Sequence, residues 1–174
     1  MPAPRFVECL NQQIGHELAA HNQYLAIAVH YDALTMPQMA AFFYAQALEE
    51  RDHAMMMVRY LLDTDEDAVI PGVEAPVARF EGVVAPVQLA LDQEKKVTSQ
   101  INELLRTARE ETDFASEQFM QWFIKEQVEE VATMSDLLAV VTRNADDIDD
   151  IEDYVAREQG GEGADATAPR IAGA

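Results

Sequence analysis

Four stretches of this chain carry helical apolar stripes, and each stripe is broken near its middle by a glutamate. The first repeats every seven residues as Leu10, Glu17, Tyr24 and Tyr31. The second steps by four and three through Phe43, Ala47, Glu50, Ala54, Met57 and Leu61. The third runs Val87, Leu91, Glu94, Val97 or Thr98, Ile101 and Leu105, and the fourth Met120, Phe123, Gln127, Glu130, Met134, Leu137 and Val141. Positions spaced this way line one face of a helix and are buried when helices pack. Short connections at Thr35-Met36-Pro37 and Glu110–Asp113 make antiparallel pairs, while the Pro- and Gly-containing stretch from Asp63 to Gly82 is long enough to cross the length of a bundle. The pattern predicts an all-α four-helix bundle, with a long crossover loop between the second and third helices. A short fifth helix follows around Asp146–Arg157, with an acidic start that complements the helix dipole.

In a bundle of equal helices the midpoints coincide. Glu17, Glu50, Glu94 and Glu130, with Gln127 and His53, then meet in one interior layer. His53 belongs there because Glu50-x-x-His53 places both side chains on one helical face. Buried carboxylates without a counter-charge are costly and repel one another. A metal centre resolves that cost. Carboxylates with one imidazole and no thiolate suit Fe, Mn or Zn rather than Cu(I).

Composition agrees. A net charge of −20 favours cations and repels nucleic acid and anionic membranes. The single cysteine, Cys9, excludes an intrachain disulfide and a Cys-rich metal site. The N-terminus lacks a long apolar run, so the expected location is the cytoplasm, with neither nucleic acid nor membrane as partner. The 174 residues divide into one domain, 1–158, and a tail, 159–174, whose Gly, Ala, Thr and Pro content predicts disorder.

Three tempting motifs fail on geometry. In His16-Glu17-Leu18-Ala19-Ala20-His21 the second imidazole comes one residue late for a zinc-protease motif, because five residues turn a helix by about 140°. His16, His21 and His30 are read as surface or packing residues. The acidic stretch from Asp63 to Glu74 approximates a calcium loop, but Ala68 stands where the sharp turn needs glycine. Met55-Met56-Met57 has no other soft ligand near it and is read as core filling.

Together these residues resemble the ferritins, specifically the haem-free bacterial type. The likeness covers about 6–158 and rests on Glu17 with Gln23-Tyr24, Glu49-Glu50-x-x-His53-Ala54, Asp92-Gln93-Glu94, and the run from Gln118 through Trp122 and Glu126-Gln127 to Glu129-Glu130. Ferritin-like di-iron sites carry Glu-x-x-His on two helices. Here Gln127-x-x-Glu130 replaces the second copy, an asymmetry similar to ferritin proper rather than bacterioferritin.

The resemblance implies a ferroxidase that oxidises Fe(II) with O₂ at a two-iron centre and stores ferric mineral in a homo-oligomeric 24-subunit shell. It implies that Glu17, Glu50 and His53 hold the first iron, and Glu50, Glu94 and Glu130 the second, with Gln127 beside it. It assigns Glu49, Glu126 and Glu129 to an accessory third iron and Tyr24 to electron supply. It places Glu117 at a three-fold entry channel, where the usual second acid is replaced by Met120. No haem is expected, since Arg51 stands where bacterioferritin has its haem-ligating methionine. A rubrerythrin-like peroxidase needs a Cys-x-x-Cys module that one cysteine excludes. Di-iron oxygenases carry two Glu-x-x-His motifs, and DNA-protecting mini-ferritins place iron between subunits. The reading from another class is a cage subunit whose acids store metal passively.

Overall fold

The computed structural model describes residues 1–158 and 165–173. Among them are five helices: α1 (Pro4–Ala33), α2 (Pro37–Asp63), α3 (Val84–Glu110), α4 (Phe114–Arg143) and α5 (Ile148–Glu158). No strand occurs among the described residues. Prolines open α1 and α2, where the missing N–H costs nothing and φ is already helical. At α4, Asp113 accepts from the Ser116 N–H at 3.1 Å and also from the Ala3 N–H at 2.9 Å. One carboxylate thus caps α4 and ties the start of α1 to it. Burial alone would raise the Asp113 carboxyl, but these donors and the Ser116 hydroxyl hold it below its ordinary value.

α2 finds its cap on a distant helix. The N–H groups of Gln38 and Met39 donate to the two carboxylate oxygens of Glu152 on α5, at 2.8 and 2.9 Å. This seats α5 across the end of the bundle, with Ile151 and Val155 buried beneath it. α5 begins two residues later than predicted, because the Asp147 N–H closes a turn onto the Asn144 carbonyl.

α1 packs along α2 and α3 along α4. The crossover between the pairs is held by α1 at several levels. Asn11 accepts from the Val69 N–H (2.7 Å) and donates to the Asp67 carbonyl (3.0 Å). Gln23 does the same for both backbone groups of Val77, each at 2.9 Å. Tyr31 donates to the Val83 carbonyl at 2.6 Å, and His30 Nε2 lies 2.9 Å from the Gly82 carbonyl. Loop and α1 numbers rise together, so the loop climbs alongside α1 and releases α3 parallel to α2. Gly15 lets it lie close: a Cβ there would sit 2.8 Å from Pro71 Cγ.

The stripe Leu10, Glu17, Tyr24, Tyr31 is buried throughout. Leu18 and Leu25 of α1 are half-buried, and Val29 is 57% exposed. Ile27 and Ala28 fill the upper interior instead. The apolar core is divided. One cluster gathers Tyr24, Tyr31, Phe43, Val87, Leu137 and Ile151, and a second gathers Phe6, Leu10, Met57, Ile101, Leu105 and Phe123. The glutamate layer lies between them. Met56 and Met57 are buried in the second cluster and Met55 packs against it, as core filling requires.

Residues 165–173 lie against the bundle. Ala168, Ile171 and Ala172 pack against the second cluster, and the Ala172 N–H donates to the Met55 carbonyl at 3.2 Å. Asp165 accepts from Trp122 Nε1 (3.1 Å), and Arg170 pairs with Asp63 (2.5 Å). Ile171 and the ion pairs of Asp165 with Lys125 and of Arg170 with Asp63 make up these contacts. Residues 159–164 and 174 lie outside the described residues.

Candidate metal centre

Three residues from two helices form the tightest grouping. Glu17 of α1 and Glu50 and His53 of α2 each offer a ligand atom within 4.8 Å of the others, and all three are buried. The i, i+3 step brings His53 Nδ1 to 3.4 Å from Glu50 Oε2. The His53 ring packs edge-on against Trp122 and Phe123, at centroid distances of 5.6 and 5.8 Å. These contacts fix the ring plane without using its nitrogens.

A second grouping joins Glu49, His53, Glu126 and Glu130. It borders a cleft of about 510 Å³ on the α2–α4 face, which Glu129 and Asp136 also line. Glu129 itself is exposed and pairs with Lys125 at 3.6 Å, outside both groupings. Glu117 is likewise engaged, with Arg109 at 2.7 Å, and Met120 is a core residue with no exposed surface.

Glu94 of α3 closes the layer from the far side. Its Oε1 accepts a hydrogen bond from the Tyr24 hydroxyl. Burial raises the carboxyls of Glu50 and Glu130 well above the usual range, and in both the charge of Glu94 is the next contribution. Glu94 is itself raised by burial, against the pull of the Tyr24 hydrogen bond. Tyr24 is raised in turn by burial and by Glu94. Gln127 is held by Thr98, whose hydroxyl lies 2.8 Å from the Glu94 carbonyl and 2.9 Å from the Gln127 side chain. A hydroxyl has one proton to give. Thr98 therefore serves the Glu94 carbonyl and the Gln127 Oε1 in turn, and holds the Gln127 side chain against α3.

The donor set fits a cation. Among the described residues, Glu17 Oε2, Glu50 Oε2, Glu94 Oε2 and His53 Nε2 are buried with no hydrogen-bond partner. Buried polar atoms are nearly always paired, and four lone-pair donors left open in one layer are suited to a metal. Sequence reasoning passed over one participant. Gln13, 2% exposed, donates from Nε2 to Glu17 Oε1 at 2.9 Å. Its signal was present: it lies four residues before Glu17, a polar residue on the same buried stripe.

An all-helical bundle with a crossover and an interior carboxylate–imidazole layer defines a class of metal-handling bundle proteins. The Ferritin-like domain model matches residues 7–144, and the chain belongs to the ferritin family. Iron storage is the work of that family and of this member of it. The chain is 52% identical over 169 residues to ferritin BfrB of Mycolicibacterium smegmatis, covering 97% of this chain and 93% of that one. It is 35% identical over 147 residues to a bacterial non-heme ferritin of Staphylococcus aureus, covering 84% and 89%. In structure it is similar to an open pore ferritin from Archaeoglobus fulgidus, with a TM-score of 0.87, 28% identity and coverage of 92% and 99%. No helix among the described residues is long and apolar enough to cross a membrane.

Proposed function

We propose that this ferritin is a ferroxidase whose Fe(II) substrate binds in pairs within the carboxylate layer. The observation that carries the reading is the set of unpartnered buried atoms on Glu17, Glu50, Glu94 and His53. Glu17, Glu50 and His53 hold the first Fe(II). Glu50 bridges to a second, which Glu94 and Glu130 hold with Gln127 beside it. The acidic field of the chain concentrates Fe(II) at the shell. Each ion gives one electron, O₂ takes the pair with two protons, and the products are two Fe(III) and one hydrogen peroxide. The chain supplies ligand placement and electrostatics, and the redox chemistry belongs to iron.

Binding of the cations displaces the protons that the buried carboxyls retain in their absence. Where a third Fe(II) is oxidised in the same turnover, Tyr24, hydrogen-bonded to Glu94, supplies the fourth electron with its hydroxyl proton, and O₂ with three further protons leaves as two waters instead of peroxide. Glu49 and Glu126, with Glu129 at the rim of the same cleft, receive a third ion on the way out. The mineral collects in a 24-subunit cytoplasmic shell, and the centre takes no haem.

Aerobic Fe(II) oxidation, at two Fe(II) per subunit, tests this in the wild type and in Glu50→Ala. Fast oxidation in the wild type that collapses in the variant is the expected result. Equal rates would leave the acids as a passive metal store.

A further inference from the structure

Glu17 is the only candidate ligand that α1 contributes, and its two oxygens are not equivalent. Oε1 accepts from Gln13 Nε2 at 2.9 Å, while Oε2 has no partner. Gln13 is a buried amide whose orientation its neighbours dictate. A carboxylate only accepts, so the NH₂ must face Glu17. On the other side, Gln13 Oε1 lies 3.2 Å from His16 Nδ1, and Gln100 Oε1 lies 3.4 Å from Gln13 Nε2. The amide is thus met by acceptors at its nitrogen and by a ring nitrogen at its oxygen. It cannot turn over without placing like against like.

We propose that Gln13 is a positioning residue that ties down one oxygen of Glu17, so that a bound ion meets only the other. The proposal rests on the metal-centre reading above. A glutamate free to rotate can embrace one ion with both oxygens, which raises that ion's coordination number and draws it toward α1. A glutamate held at Oε1 offers a single oxygen, and the open position on the ion remains for O₂. Gln13 touches neither ion nor oxidant and acts through Glu17 alone. On the neighbouring helix α3 the Tyr24 hydroxyl leaves Glu94 Oε2 open in the same way, so Glu17 and Glu94 each present one anchored and one open oxygen.

Co(II) reports this without oxidation chemistry, because its visible absorption weakens as its coordination number rises. The full-length protein is stripped of metal and titrated with Co(II) as wild type, Gln13→Met, Gln13→Glu and Ile14→Val. Ile14 is a fully buried neighbour on the same helix, and its trimming lowers stability without touching Glu17. The expected result for Gln13→Met is a first-ion affinity lower by about 10-fold or more, as for other residues that orient a ligand, together with weaker visible bands. Ile14→Val lowers the melting temperature and leaves the spectrum unchanged. Gln13→Glu donates the hydrogen bond only while its carboxyl is protonated, so its binding gains a pH step that the wild type lacks, even where the Met variant fails to fold. A wild-type spectrum and affinity in Gln13→Met, or no new pH step in Gln13→Glu, overturns the role of Gln13 and leaves the centre intact. Equal spectral changes in Ile14→Val and Gln13→Met reduce it to packing and also overturn it. Failure of the wild type to bind Co(II) overturns the metal centre itself.

Discussion

Glu50→Gln should stabilise the metal-free protein and destabilise the metal-loaded one. Glu50 is 2% exposed, and its Oε2 has no hydrogen-bond partner. Burial first, then the charges of Glu94 and Glu17, raise its carboxyl well above the ordinary range. The native state therefore keeps a proton that the unfolded chain has released. Stability conferred by that proton is complete below the ordinary carboxylate pKa and is lost as pH rises through the raised native value. Glutamine keeps the shape and does not titrate. Holding that proton above the ordinary carboxylate pKa costs stability that a neutral amide does not lose. By analogy with buried ion pairs replaced by neutral side chains, the gain is about 1–4 kcal/mol. At about 2 kcal/mol, a chain of this size melts roughly 4–8 °C higher. Zn(II), which is not oxidised, reverses the order. At 100 times its dissociation constant an ion adds about 2.7 kcal/mol to the protein that binds it, and the variant lacks the carboxylate proposed as the bridging ligand. The assay is a thermal melt of both proteins in chelator and in Zn(II), at pH 5.5 and pH 8. The variant should lead in chelator, by more at pH 8, and trail in Zn(II). A variant that melts below the wild type in chelator at both pH values, with Zn(II) leaving the order unchanged, would refute the claim that these acids are strained without a cation.

Two further substitutions probe the frame around the centre. Gly15→Ala adds about 1 kcal/mol of helix propensity but drives a methyl into Pro71. The loop should lift, and the Val69 and Val77 amides should exchange roughly 5-fold faster, measured by hydrogen exchange, for each kcal/mol by which its seat on α1 is weakened. Glu152→Ala removes the acceptor for two N–H groups of α2 and should cost about 1–2 kcal/mol. Limited proteolysis should then cut between α4 and α5 sooner than in the wild type, and an unchanged rate would show that α5 is held by Ile151 and Val155 alone.

The bundle was legible because burial and helical period write the same residues twice. Leu10, Tyr24 and Tyr31 could be placed inside from spacing alone, and the burial of Glu17 followed from sharing their stripe. Helix depth likewise put Glu50, Glu94 and Glu130 in the interior. What spacing does not carry is reach. It cannot say that Glu130 stands within ligand distance of Glu49 and Glu126, or that Glu129, one residue away, turns out to Lys125. Nor does it reveal the clamps on the crossover. Asn11 and Gln23 are polar residues on a helix, and nothing local separates one that holds a loop from one that faces water.

The partition of the core into two apolar clusters makes the carboxylate layer a mechanical seam. Most bundles are zipped by one unbroken column of side chains, so loosening one end is resisted by the other. Here neighbouring layers across the seam share repulsion instead of packing. Metal-free, the two ends are poised to breathe as separate cooperative units, the lower one stitched by the returning tail and the upper one by α5. A cation held from both sides, as proposed for this layer, would act as a rivet, and the cargo this family carries would be the fastener that stiffens the bundle.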